Sequence, residues 1–108
     1  MNVYDEAHNL ARAIKESNEF LEFNNVRKEV EADSDVSQMI ADMQKLQLEI
    51  QTAQISGQQP SEDVMNRIQS LSTMLATKPL AQKFMQAEAA FSVMMNDVFQ
   101  IIGDAMGV

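Results

Sequence analysis

The chain has no cysteine and no tryptophan, and in 108 residues it has one histidine, one tyrosine, three glycines and two prolines. Without cysteine there is no disulfide framework, no thiolate metal site, no sulfur-held cluster and no cysteine nucleophile. The single histidine, His8, has Tyr4, Asp5, Ala11 and Arg12 at helical spacing. These offer no second nitrogen ligand and no nucleophile to activate, so His8 reads as a surface or helix-packing residue. Basic residues are also few, eight against sixteen acidic ones, leaving a net charge of −8. That balance repels phosphate backbones and anionic lipid, so neither nucleic acid nor a membrane is expected as a partner. No apolar run approaches the roughly 20 residues of a membrane span. Met1 to Ser17 mixes Asp5, Glu6, Arg12, Lys15 and Glu16 into its apolar residues instead of following a basic start with an apolar block. No signal peptide is read there, and a cytoplasmic location is expected. A Gly-rich phosphate loop, metal-protease spacing, a nucleophile elbow and a zinc pattern are all missing.

What the chain does contain is helix-forming. Met, Leu, Ala, Gln and Glu are abundant, and no stretch keeps a period of two. Val3, Ala7, Leu10 and Ile14 step by four, three and four, predicting a first helix over about 3–16. Ser17 interrupts it or caps the next segment, in which Phe20, Phe23, Val26 and Val30 mark the buried face up to Ala32. Asp33, Ser34 and Asp35 announce a long helix, about 35–56, with Val36, Met39, Met43, Leu46, Ile50 and Ala53 on alternating a and d positions and Ile40 widening the seam. Ser56-Gly57-Gln58-Gln59-Pro60 is the one obvious loop, and Ser61 caps a helix whose Val64, Ile68, Leu71 and Leu75 repeat the same spacing to about Ala76. Pro79 disfavours helix at Lys78 yet suits the first position of a last helix, about 79–105.

That last helix carries more apolar side chains than one neighbour can cover. Leu80, Phe84, Ala87, Phe91, Met94, Val98, Ile101 and Ala105 form one stripe, and Met85, Met95, Phe99, Ile102 and Met106 a second. The long helix and this tail have the length to pair with one another. The carboxylate pairs Asp33 with Asp35 and Glu62 with Asp63 lie at helix starts, where capping and the helix dipole account for them. Nine methionines are an excess. Most fall on the periodic faces and read as core filler, an adaptive binding surface being the lesser alternative.

Several short motifs, in order along nearly the whole chain, carry a resemblance. They are Ala13-Ile14-Lys15-Glu16-Ser17 with Glu19-Phe20, Ala32-Asp33, Gln44-Lys45-Leu46-Gln47, Gly57, Gln86-Ala87-Glu88 and Asp97-Val98-Phe99-Gln100-Ile101-Ile102. In these the chain resembles the YlbF/YmcA/YheA family of small bacterial proteins, and most closely the YheA branch. The resemblance implies an all-helical fold, self-association, a cytoplasmic location in Gram-positive bacteria and no catalytic residues. It further implies a link to the regulatory complex in which YlbF and YmcA act with a third protein in competence, sporulation, biofilm formation and RNA processing by an endoribonuclease. Iron–sulfur clusters are associated with that complex; this chain has no cysteine to ligate one, and no cofactor is expected.

The expectation is therefore one all-α domain, 1–108, a helical bundle or hairpin with two long helices and shorter ones. It is expected to act as a non-enzymatic adaptor that forms a dimer or higher homo-oligomer and binds a protein partner. Self-association is assigned to Phe84, Phe91, Met94, Met95, Val98, Phe99 and Ile102 of the tail and to Met43, Leu46 and Ile50 of the long helix; no catalytic or metal residue is assigned. The alternative is a carrier of apolar ligand such as lipid, or a holdase, using the Met- and Phe-rich helix surfaces.

Overall fold

The computed structural model describes residues 2–107. Over these residues the chain forms five helices and no strand: α1 (Val3–Lys15), α2 (Asn18–Glu31), α3 (Ser34–Ile55), α4 (Glu62–Ala76) and α5 (Pro79–Ala105). The all-α reading holds, and the two long helices fall within a residue of their expected bounds.

Each boundary has a local cause. Asn2 starts α1, its side-chain Oδ1 accepting the Tyr4 and Asp5 N–H groups at 2.8 and 3.3 Å. Ser17 works in both directions: its hydroxyl donates to the Ile14 carbonyl at 2.6 Å and accepts the Phe20 N–H at 3.2 Å. One side chain thus closes α1 and opens α2, satisfying backbone groups that both helix ends would leave bare. Asp33 accepts from the Val36 N–H at 3.1 Å and Ser61 from the Val64 N–H at 3.2 Å, so the two expected start signals are caps in fact. At the end of α3, Gly57 takes φ of 74°. There the Gly57 N–H reaches the Gln54 carbonyl at 3.1 Å and the Gln58 N–H reaches Ala53 at 2.8 Å. These are the paired bonds of a Schellman turn, which requires a residue tolerant of the left-handed region. Pro79 occupies the first position of α5, where its missing N–H costs nothing. Gln82, one turn on, donates its side-chain amide to the Ala76 carbonyl at 2.6 Å and so ties off the end of α4.

The chain divides into two compact units. One consists of the residues through Lys28 together with those from Phe84 on; the other runs from Glu29 to Lys83. In the first, Val26, Phe84 and Ala87 are buried, and Phe84 belongs to a cluster of aromatic rings. Phe23 stacks on Phe91 with ring centroids 5.5 Å apart and planes 4° from parallel. Phe23 also meets Phe84 at 5.6 Å, and Phe20 meets Phe91 at 5.7 Å. The Arg27 guanidinium covers the Phe23 ring at 5.7 Å from its centroid, closing the cluster on the water side.

In the second unit α3 packs against α4, its successor across the loop. The lengths of α3 and the tail helix would allow those two to pair; within this unit the neighbour of α3 is α4. Val30, Val36, Ile40, Leu46, Leu75 and Ala81 are buried. Each such Leu or Val contributes about 1.5–3 kcal/mol by leaving water. Lys83 Nζ and Glu29 Oε2 pair at 3.1 Å with both side chains about half exposed, a contact of little weight in water.

Candidate interaction surfaces

Two surfaces stand out, one in each unit. The first is a groove between α3 and α4 of about 500 Å³, open to solvent along one side. Its walls come from Asp42, Lys45, Leu46 and Glu49 of α3 and from Asn66, Arg67, Ser70, Leu71 and Met74 of α4. Positions 42, 45, 46 and 49 share one helical face, as do 66, 67, 70, 71 and 74, which is why two short segments line the whole cleft. Buried Leu46 and half-buried Leu71, with Met74, form an apolar floor. Around it stand two carboxylates, Asp42 and Glu49, and two cations, Lys45 and Arg67. Arg67 Nε holds Asp63 Oδ2 at 3.1 Å, one turn back on α4, with both side chains about two-thirds exposed. The Asp42 carboxylate accepts from the Gln38 amide at 2.9 Å.

The second surface is apolar and without internal cover. α1 buries none of its residues: Val3 is 81% exposed, and Ala7 and Leu10 are exposed as well. In the same unit the far half of α5 is open, with Phe99 61%, Ile102 42% and Met106 68% exposed. Single exposed apolar residues are ordinary, but a run at helical spacing on each of two helices is not.

The residues assigned to self-association fall into three groups. Phe84 and Leu46 are buried within the chain. Phe91, Met94, Met95, Val98, Met43 and Ile50 are half-buried, Phe91 against Phe20 and Phe23. Phe99 and Ile102 are exposed. Sequence reasoning did not single out Asn66, Arg67 or Ser70, since only the pairing of α3 with α4 makes them part of one cleft. It found the α1 stripe by its spacing, which alone does not tell a covered stripe from a bare one.

His8 is exposed. Asp33 serves as the cap that its position led one to expect, and Asp63, in the first turn of α4, also pairs with Arg67. Among the described residues no three His, Asp or Glu side chains gather where they would hold a metal ion. No helix among them is long and apolar enough to cross a membrane.

Comparison with known proteins gives a consistent picture. Residues 3–107 match the family model described as "Control of competence regulator ComK, YlbF/YmcA". A UPF0342 protein of Caldicellulosiruptor saccharolyticus is 32% identical over 105 residues, covering 97% of this chain and 88% of that one. Another, from Desulfitobacterium hafniense, is 37% identical over 106 residues, covering 98% and 86%. Among solved structures, a protein of unknown function (DUF964) from Bacillus stearothermophilus superposes with a TM-score of 0.82 at 21% identity, over 97% of this chain and 92% of the other. That last likeness speaks for the fold.

Proposed function

The chain belongs to the YlbF/YmcA family, which is linked to control of the competence regulator ComK, and from that premise we propose that it is a non-enzymatic helical adaptor that docks a protein partner in the groove between α3 and α4. The observation that carries this reading is the composition of the groove. An apolar floor between a rim of mixed charge on α3 and a polar rim with one cation on α4 is what an amphipathic helix needs: anchors at i, i+3, i+4 and i+7 for the floor, and polar neighbours for the rims. Leu46, Leu71 and Met74 would take the anchors, and Met74 adapts to side chains of differing shape. Lys45 and Arg67 would meet carboxylates on the incoming helix, Asp42 and Glu49 its cations, which fixes orientation and register more than it adds affinity.

The competing reading, a carrier of lipid or another apolar ligand, fits less well. A small-molecule site encloses most of its ligand. This groove is open along its length and rimmed by charge on both helices.

Leu71→Asp tests the assignment. Leu71 is only half-buried, so the substitution places a charge on the groove floor while leaving the buried α3–α4 contacts at Leu46 and Leu75 in place. Tagged wild type and variant, recovered from the native cell and compared by quantitative mass spectrometry, should differ by the loss of a specific protein partner from the variant, with equal helix content by circular dichroism. Retention of every partner by a folded Leu71→Asp chain would overturn the groove as the docking site.

A further inference from the structure

The α3 rim of the groove is charged in an alternating order. Asp42, Lys45 and Glu49 follow one another at steps of three and four and so stand on one face of the helix, the two carboxylates about 10 Å apart along its axis. The opposite rim is different. Asn66 and Ser70 are uncharged, as are Gln69 and Thr73 beside them on α4, and Arg67 is already held by Asp63. Whatever lies on the floor of Leu46, Leu71 and Met74 therefore meets its ordered run of charge on the α3 side.

The three groups are not spent on one another. Among the described residues the ion pairs are Arg67 with Asp63 and Lys83 with Glu29, and Lys45 pairs with neither of its flanking carboxylates. A lysine four residues ahead of a glutamate is moreover the less favourable order for a pair along a helix. The Asp42 carboxylate is half-buried and accepts from the Gln38 amide, which holds it in place, while Lys45 and Glu49 are exposed. Charges that flank an apolar seam in this way choose the partner and set its register. Resting on the groove as the docking site, we propose that its occupant is a helix of a different protein that carries the complementary order, cation, carboxylate, cation, at steps of three and four beside its apolar anchors.

Two observations restrict the occupant. The unit that holds the groove, 29–83, carries eight acidic and four basic residues, so a helix with a net cationic rim is drawn to it. The chain has no such triplet of its own, since no two of its eight basic residues lie seven positions apart. A second copy lacks the pattern that the rim reads.

Synthetic helical peptides test the proposal. All are alanine-rich, about 18 residues long so that they hold a helix, fluorescently labelled and given the same leucine face. One kind sets Lys, Glu and Lys beside that face and the other Glu, Lys and Glu, each made with the steps of three and four in both orders. Fluorescence anisotropy on the full chain should find the better Lys-Glu-Lys peptide bound about tenfold more tightly than either Glu-Lys-Glu peptide. The triple variant Asp42→Lys, Lys45→Glu, Glu49→Lys inverts the rim yet remains net acidic, and it should prefer Glu-Lys-Glu. Leu71→Asp should weaken the Lys-Glu-Lys peptide although it adds an acidic charge, which separates binding in the groove from general attraction to an acidic surface. Circular dichroism accompanies each variant. Should the triple variant lose helix content, Glu49→Lys alone, at an exposed position, should narrow the preference about threefold.

Failure of both Lys-Glu-Lys peptides to bind, a preference that neither rim variant alters, or binding indifferent to Leu71→Asp each overturns the charge register. The groove itself is judged separately, by the partner that Leu71→Asp loses from the native cell. A peptide of residues 3–15 that binds as tightly as Lys-Glu-Lys would mark a second copy as the occupant and overturn the proposal as well.

Discussion

Phe23 touches Phe84 and Phe91 while Arg27 lies over its ring, so one side chain joins α2 to two positions of α5 that are two turns apart. Removing it opens a cavity and frees both partners at once. Phe23→Ala should cost about 3–5 kcal/mol, the usual range for truncating a packed phenylalanine. In a chain this small that is a large share of total stability, and urea denaturation followed by circular dichroism should find the midpoint well below that of the wild type. The ring cluster was half legible in the sequence. Phe20 and Phe23 on one helix, and Phe84 and Phe91 on another, declared themselves as face residues by their spacing. That Phe91 spends its surface on Phe20 and Phe23, while Phe99 two turns later has no such partner, depends on where α2 begins. No periodicity along α5 contains that information.

Among the elements, the loop after α3 shows how directly a residue can dictate a turn. Gly57 adopts φ of 74°, and a Cβ added there would meet no atom within 4 Å. The penalty for Gly57→Ala is therefore one of backbone conformation alone, about 1 kcal/mol. A shift of about 4–8 °C in Tm is expected for a domain of this size, readable by calorimetry, with no change in the spectrum of the folded state. All five helices, and the caps at Ser17, Asp33, Gly57 and Ser61 though not that at Asn2, were legible because start and stop signals are local: a capping oxygen acts within three residues and a proline on its neighbour. Which helices lie together was less so. The seam on α3 is equally suited to more than one neighbour, and the short loop brings α4 there first. With that choice came the groove, whose polar rim is made of residues that look, one helix at a time, like ordinary solvated positions.

For the whole molecule, charge is distributed so that folding and partner choice use different surfaces. Among the described residues every buried side chain is apolar, so the acidic excess lies outside the core. The candidate site was legible in the sequence only as a surplus, more apolar circumference on α5 than one chain covers, and the structure divides that surplus between an aromatic cluster and an open stripe. α1, by contrast, has no fully buried residue, Ile14 alone being half-buried. Thirteen residues bounded by Asn2 and Ser17 make a helix of marginal persistence when nothing lies on its apolar side. Its amide protons should therefore exchange with deuterium well before those of α4, which mass spectrometry of the two segments can follow. Local opening of this arm would therefore precede any wider loss of structure, and a protease probing the chain would find it first.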